Sequence, residues 1–531
     1  MPLSLLLKPH EYGPYFDLVL FFPLEYPQLY FDSSGGLLPN TEQGFHGVIG
    51  NPPWNNIKAN AKEFVTLHEE LFGERVSKFS MNSRDFDRFF IEKLKSNEIH
   101  EKWQNYTGLI QFISNRYKLD YSGDKSLQKT FLERFLELSK EEFSILVPSN
   151  FHTDEGSYNL RKEIIEKWNL NELISFENRA NSWFPDIDSR FKFDLLEVSK
   201  HKKKSLLAKF YVKDWEEIAE KFEYPVELIE KMSPNVFGFI EFRSKRDVNV
   251  ASKIRGKHKL LSETGVRIGR EFDKTSKKYP NQLFKGEDRS RKLYEGKMIH
   301  QYNSNFSEGD YLVNESIART ILTERELMRI SRFLNEVMKT QKTFEKKAFA
   351  ETLNELEGRI SDKSWKLDYE SERLVFRRIG RSTDERSLIS TVIPAGTFID
   401  DSLAQIAPWR YELDKDKLIQ KNLEDFSFYL MALLNSFVLD YYIRLRISAN
   451  LNFFFIYELP IPSVSNELYS EIVKISRSLM SNNAKAERAK LEAKIAKEAF
   501  RLERNDMEYI LNTFTFGDID QQLISLILEE F

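Results

Sequence analysis

Short apolar runs alternate with amphipathic stretches of helical spacing through residues 1–245, and that rhythm leaves helices packed on a central sheet as the outcome. Strand candidates fall at residues 47–50, 143–147, 173–176, 191–198 and 207–212. Between them, residues 126–140 set Leu127, Phe131, Phe135 and Leu138 on one helical face, and 158–168 repeat the spacing. The expected fold class is therefore α/β, with an open wound sheet and crossover helices.

The rhythm does not last. The chain turns strongly basic at residues 200–204, and from residue 242 short apolar runs mix with Gly, Lys and Arg without a βα order, which puts a boundary near 245. A long helix is expected over about 322–359, a β-rich segment over 373–398, a further helix over 426–446, and helix almost throughout from 468. The division expected is 1–245, a mixed α+β domain over 246–467, and a helical C-terminal segment over 468–531. Residues 484–505, AKAERAKLEAKIAKEAFRLERN, read as an exposed helix or a short coiled coil.

At 531 residues the chain exceeds what one hydrophobic core holds, which agrees with an internal boundary. The absence of cysteine excludes disulfides, thiolate metal sites and cysteine nucleophiles. No run approaches the roughly 18 apolar residues of a membrane span, and the N-terminus MPLSLLLKPHEYGPYF lacks the pattern of a secretory signal. A cytoplasmic protein without membrane association is the expectation. A net charge of −4 argues against nucleic-acid binding over the whole surface and moves the question to local patches.

One stretch carries chemistry: residues 45–57, FHGVIGNPPWNNI, a short apolar strand, a Gly, then Asn51, Pro52, Pro53 and Trp54 where the strand would end. In open α/β sheets ligands bind at the carboxyl ends of strands. Consecutive prolines fix two φ angles and remove two donors, so a rigid backbone presents carbonyl oxygens without competing N–H groups. Asn51 adds one more acceptor and Trp54 a flat apolar face. The set suits a flipped base, with Trp54 as a stacking platform worth about 1–3 kcal/mol. The Asn51 side-chain carbonyl and the Pro52 carbonyl would accept hydrogen bonds from an exocyclic amine as charge develops on it. The same tetrapeptide also suits a plain Pro-Pro turn over a buried Trp.

Asn51-Pro52-Pro53-Trp54 resembles the catalytic motif of amino-methylating DNA methyltransferases. The wider chain resembles the gamma-order adenine-N6 enzymes of Type IIG-like restriction-modification systems. Phe22-Pro23 in FDLVLFFPLEYPQLYFD, residues 124–137, 145–161 (ILVPSNFHTDEGSYNLR) and 176–196 (FENRANSWFPDIDSRFKFDLL) resemble stretches around that motif. Residues 270–275 (REFDKT), 293–302 (LYEGKMIHQY), 373–394 and 434–462 resemble its target-recognition region. The resemblance implies a methyltransferase domain over 1–245 with part of a Rossmann-like sheet, a DNA-specificity domain over 246–467, and S-adenosylmethionine as methyl donor. The reaction implied is methyl transfer to adenine N6 of a flipped base in double-stranded DNA.

The family's cofactor site is a Gly-rich turn after the first strand, upstream of the catalytic motif. Fifty residues precede Asn51, while one βαβ unit takes about 30 or more, and no strand followed by a Gly-x-Gly turn is found there. Gly35-Gly36 reads as a loop, and Gly265 and Gly269 lack a matching acid. The chain is expected to be the C-terminal portion of a longer enzyme, or a subunit whose partner chain supplies the cofactor-binding part. A catalytically silent specificity subunit that positions a partner methyltransferase or nuclease is the alternative, and cytosine N4, RNA or a protein glutamine are other acceptors for such a motif. No Asp followed by a Glu-x-Lys strand suggests a nuclease. Basic clusters at 243–259, 289–297, 373–386 and 444–446 lie in the proposed recognition region, and Arg270, Lys297, Arg377, Arg378, Arg381 and Arg386 are the candidate DNA contacts. For any one cluster a solvated face explains the charge as well. Asp188-Ser189-Arg190 resembles a block beside the catalytic pocket, and serves equally as a helix cap and a structural ion pair. His46, His100 and His300 show no metal-ligand spacing, so no metal is expected.

Overall fold

The computed structural model describes residues 25–72, 83–119, 125–179, 183–185, 187–189, 191–276, 278–280, 282–284, 290–340, 346–414, 417–447, 450–482, 484–515 and 520–531. Phe22, Pro23, Asp124 and Arg190 of the resemblance lie outside the described residues. The chain divides into two compact units, Met1–Lys245 and Arg246–Phe531.

In the first unit, strands β1 (Phe45–Gly50), β2 (Ser139–Pro148), β3 (Asn169–Glu177), β4 (Lys192–Ser199), β5 (Ser205–Val212) and β6 (Phe222–Pro225) form one sheet in the order β1-β2-β4-β3-β5-β6. β1 runs parallel to β2 and β3 parallel to β5, but β4 is antiparallel to both β2 and β3, and β6 to β5. The sheet is thus mixed, which corrects the expectation of a wound sheet with crossovers throughout. The physical reason is the β3–β4 connection, which has no α-helix among its described residues. Without a crossover the chain returns as an antiparallel neighbour.

Two helices, α1 (Leu127–Leu138) and α2 (Tyr158–Lys167), lie where the spacing of their apolar residues predicts. Alternation along β2 buries Phe143, Ile145 and Val147 and leaves Ser144 and Leu146 on the opposite, more open face. Phe135 of α1 meets Phe143 edge-on at 5.9 Å. Gly50 permits this close approach, because a Cβ there would stand 2.9 Å from the Phe135 ring. On the open face, register pairs Ile49 with Ser144 and Leu146 with Leu195. Between β1 and α1, a stretch without an assignment in the sequence reading forms helices Ala61–Leu67, Ser83–Lys93 and Asn97–Arg116 around buried Phe64, Phe72, Phe86 and Phe90. Five of the chain's 43 phenylalanines, Phe89 among them, build that separate small core.

The second unit holds a four-stranded antiparallel sheet in the order Ser390–Ile393, Arg373–Arg377, Leu403–Ile406, Ile268–Gly269. A hairpin, Trp409–Asp414 with Lys417–Asn422, packs Trp409 and Tyr411 into a core with Trp365, Tyr369 and Leu334. The long helix expected over 322–359 is two helices, Glu315–Thr340 and Lys346–Ser361. That expected over 426–446 is also two, Glu424–Asn435 and Phe437–Arg444, bent by 63°. The break has a local cause: Ser436 adopts an extended ψ of 149° and its side chain caps the second helix by accepting from the Leu439 N–H at 3.2 Å. Among the described residues no single helix is long and apolar enough to cross a membrane.

Residues 484–505 are not the exposed helix or coiled coil that composition suggests. Leu491, Ala493, Ile495, Ala496 and Phe500 are buried, and Glu492, 2 % exposed, accepts from the backbone N–H of Phe437 at 2.9 Å. Alanine here permits close helix packing rather than marking a solvated rod, a distinction composition does not make.

Candidate active site

β1 ends at Gly50, and Asn51, Pro52, Pro53 and Trp54 follow as irregular chain at the carboxyl edge of the parallel pair. The segment leaving Trp54 is pinned to the start of α1: the Leu127 N–H donates to the Asn55 carbonyl at 2.9 Å, and the Ile57 N–H to the Lys125 carbonyl at 2.8 Å. Asn51 is exposed and Pro52 buried, so the rigid dipeptide anchors an amide that reaches the surface.

That amide lines a cavity of about 480 Å³ on the open face of the sheet. Ile49, Leu146 and Leu195 form its floor, and Phe176, Trp183, Phe184, Phe193 and Trp215 its aromatic walls. The volume and the apolar lining with a single convergent amide are those of a small-molecule or base pocket. Trp54 is half-buried and is not on the wall. It stands edge-on to Phe184 at 5.7 Å and tilted by 32° to Phe193 at 6.2 Å, supporting the two rings that do face the cavity.

Asn178, which sequence reasoning did not single out, organises the far wall. It is 1 % exposed, its Oδ1 accepts from the Trp183 and Phe184 N–H groups at 3.2 and 2.9 Å, and its Nδ2 donates to the Phe184 and Ile187 carbonyls at 3.0 and 3.1 Å. One amide therefore fixes the loop that carries two of the cavity's rings. The available signal was an Asn directly after a strand with Trp-Phe a few residues on.

Beneath β4 lies a buried charge network. His152 Nδ1 meets Asp194 Oδ2 at 2.6 Å and Nε2 meets Glu241 Oε1 at 3.0 Å, and Lys192 also pairs with Glu241. Burial alone would lower the imidazole, but the two carboxylates outweigh it and hold His152 up at about 9. Burial pushes Glu241 up, whereas Lys192 and His152 together bring it well below the usual carboxylate range. Asp194 follows Phe193 directly, so the network holds the strand whose next residue lines the cavity.

The candidate DNA contacts divide. Arg270 and Arg378 converge on Asp401, at 2.9 and 2.7 Å, and both lie 5.9 Å from the Phe453 ring centre. Lys297 is exposed and pairs with Glu295 at 3.4 Å and Asp310 at 3.5 Å, Arg381 is exposed, and Arg377 is half-buried. Arg386 is an interior residue: it is 6 % exposed, binds Asp440 at 2.7 Å and the Asn435 carbonyl at 2.6 Å, and stacks on Phe437 at 4.0 Å. Its charge serves a buried ion pair and is not offered to a ligand. Arg444 and Arg446 of the last basic cluster are likewise buried, against Asp440 and Glu458. Arg386→Lys, which loses the forked hydrogen bonding, is expected to destabilise the fold by about 1–3 kcal/mol in urea denaturation while leaving duplex affinity unchanged. Among the described residues no group of His, Asp and Glu side chains converges to hold a metal ion.

No protein-family model matches the chain, and no curated protein matches it in sequence. Solved structures that resemble it include the type IIG restriction endonuclease BpuSI, 13% identical over 93% of this chain and 56% of that one, with a TM-score of 0.30. The Type IIL restriction-modification enzyme MmeI in complex with DNA is 9% identical over 92% of this chain and 58% of its own, at 0.38. The DrdV-DNA complex is 11% identical over 83% and 44%, at 0.31. The chain spans a little over half the length of the first two. At such scores the likeness is loose, and what the site does is judged from its own residues.

Proposed function

We propose that this chain carries the acceptor half of a site-specific DNA adenine-N6 methyltransferase of a restriction-modification system. The observation that carries the reading is Asn51: an amide held by a Pro-Pro segment at a strand's carboxyl end, on the rim of an aromatic-walled cavity. In it a flipped adenine would lie among the rings of Phe184 and Phe193, recovering part of the stacking lost on leaving the duplex. The Asn51 Oδ1 and the Pro52 carbonyl would accept from the exocyclic amine, favouring the charge that builds on nitrogen as it is methylated. Nucleoside analysis of DNA from cells carrying the complete system is expected to show N6-methyladenine. N4-methylcytosine in its place would overturn the acceptor assignment.

S-adenosylmethionine is the donor this reading requires, and the described residues do not include the Gly-rich turn that would hold it. No strand among them is followed by a Gly-x-Gly turn, and β1 pairs only with β2. No donor-side step is therefore assigned to this chain. The same observation favours a second reading, a silent specificity subunit acting with a partner. Asn51→Ala in the chain assembled with its partner separates the two: loss of methyl transfer with S-adenosylmethionine binding retained in isothermal titration is the result expected of the acceptor half. If the variant pair methylates at the unaltered rate, the silent subunit is the correct reading.

A further inference from the structure

Most arginines of the second unit have a carboxylate partner: Arg267, Arg319, Arg373, Arg378, Arg386 and Arg444 all do. Arg377 and Arg488 differ. Arg377 Nη2 donates to the backbone carbonyl of Ile299, and Arg488 Nη2 to the side-chain oxygen of Gln301, both neutral acceptors. The Nε of each is buried without a hydrogen-bond partner. Two half-buried guanidinium groups thus flank the segment 299–302 without an ion pair, attracted only at longer range by Asp384 in the case of Arg377 and by Glu492 and Asp520 in that of Arg488, and a directly bound anion would lower the cost of burying them.

The surroundings strengthen the case. Gln301 Oε1 also accepts from Arg386 at 3.2 Å, but the charge of that arginine is met by Asp440, so Arg386 holds Gln301 in place and is no part of the site. Burial, and then Arg377, Arg488 and Arg386, push His300 down to about 4, so at neutral pH its ring adds no charge and still offers a nitrogen. Arg488 is itself lowered, by burial and by Arg386. Glu492 is pushed up by its own burial, against the pull of Arg386 and Arg488, and accepts from the Phe437 N–H; it makes no ion pair with either arginine. Ile299, Gln301 and Tyr302 are buried, and the segment meets solvent through the half-buried His300, whose ring packs on the exposed Phe306 at 4.8 Å.

We propose that Arg377 and Arg488, with the segment 299–302 between them, form a phosphate-binding site that takes a phosphodiester of the DNA backbone. The proposal rests on the DNA-binding reading above and extends the contact surface to a helix, Lys485–Lys494, that lies far along the chain from the other candidates. Such a contact positions the duplex without reading sequence.

The test uses the full chain and two probes, a DNA duplex followed by fluorescence anisotropy across a salt series, and inorganic phosphate followed by isothermal titration. Arg377→Gln and Arg488→Gln are each expected to weaken duplex binding about tenfold near 0.1 M salt, equally for all sequences, and to lower the salt slope by about 1. Arg488→Lys, which keeps the charge, is expected to retain most of the affinity, and thermal melting checks that each variant is folded. Wild-type affinity and slope in both folded Gln variants would overturn the site while leaving the DNA reading intact. If the unaltered chain binds inorganic phosphate but no duplex, and Arg488→Gln loses the phosphate, the site stands for free phosphate and the DNA reading fails.

Discussion

Asn51→Ala in the complete enzyme is expected to lower the methyl-transfer rate about 100- to 1000-fold, with duplex affinity within about twofold of the unaltered chain. The size follows from what removal of one preorganised hydrogen-bonding group at a developing charge costs. Retention of affinity follows from position: Asn51 is one amide at the rim of an apolar cavity, whereas duplex binding is attributed to arginines of the second unit. Asn51→Asp is the sharper variant, since it keeps shape and acceptor while introducing charge beside five aromatic rings. Single-turnover rates with a labelled methyl donor, compared with anisotropy on the same duplex, check both halves. Unchanged single-turnover rates in Asn51→Ala would remove the residue from the chemistry.

His152→Ala is expected to destabilise the first unit by about 3–5 kcal/mol, because it leaves the buried Asp194 without its charged partner and takes from Glu241 one of its two cations, Lys192 remaining; each carboxylate loses a hydrogen bond of 3.0 Å or less. The unaltered protein should show the same network as a pH dependence. The folded imidazole titrates near 9 against 6.5 when free, so its stabilisation is complete below about 6.5 and is lost as pH rises through about 9. Over that interval about 3 kcal/mol should disappear. Urea denaturation followed at pH 6 and pH 9 checks the sign. A midpoint that does not fall between those values, or that falls equally in His152→Ala, would show that the imidazole is not charged in the folded state.

Local patterns were legible wherever a residue's neighbours in sequence are also its neighbours in space. The spacing of Leu127, Phe135 and Leu138 foretold α1 to within two residues of its ends, and the apolar runs at 143–147 and 207–212 lie inside β2 and β5. Strand direction was not legible, since nothing in the run at 191–198 says that β4 opposes both its neighbours. The helix break at Ser436 was missed because the apolar pattern continues across it, while one hydroxyl decides the cap. Basic clusters misled in the same way. Arg386 and Arg381 stand five residues apart, one buried on Asp440 and the other in solvent, and the difference depends on a partner 54 residues further on.

What the sequence by itself determined is the chemistry on offer: an amide and a Pro-Pro pair at a strand end, no thiols, and aromatic residues in quantity. These follow from residue type and short-range backbone constraint, which need no tertiary context. Only the folded chain decided which ring lies where, putting Trp54 behind Phe184 and Phe193 and those two on the cavity wall, with Phe184 held by the side chain of Asn178. It also decided which arginines keep an unspent charge. Burial and pairing arise between groups tens to hundreds of residues apart, so the free energy that distinguishes a structural cation from a binding one is set by tertiary contacts that no local pattern encodes.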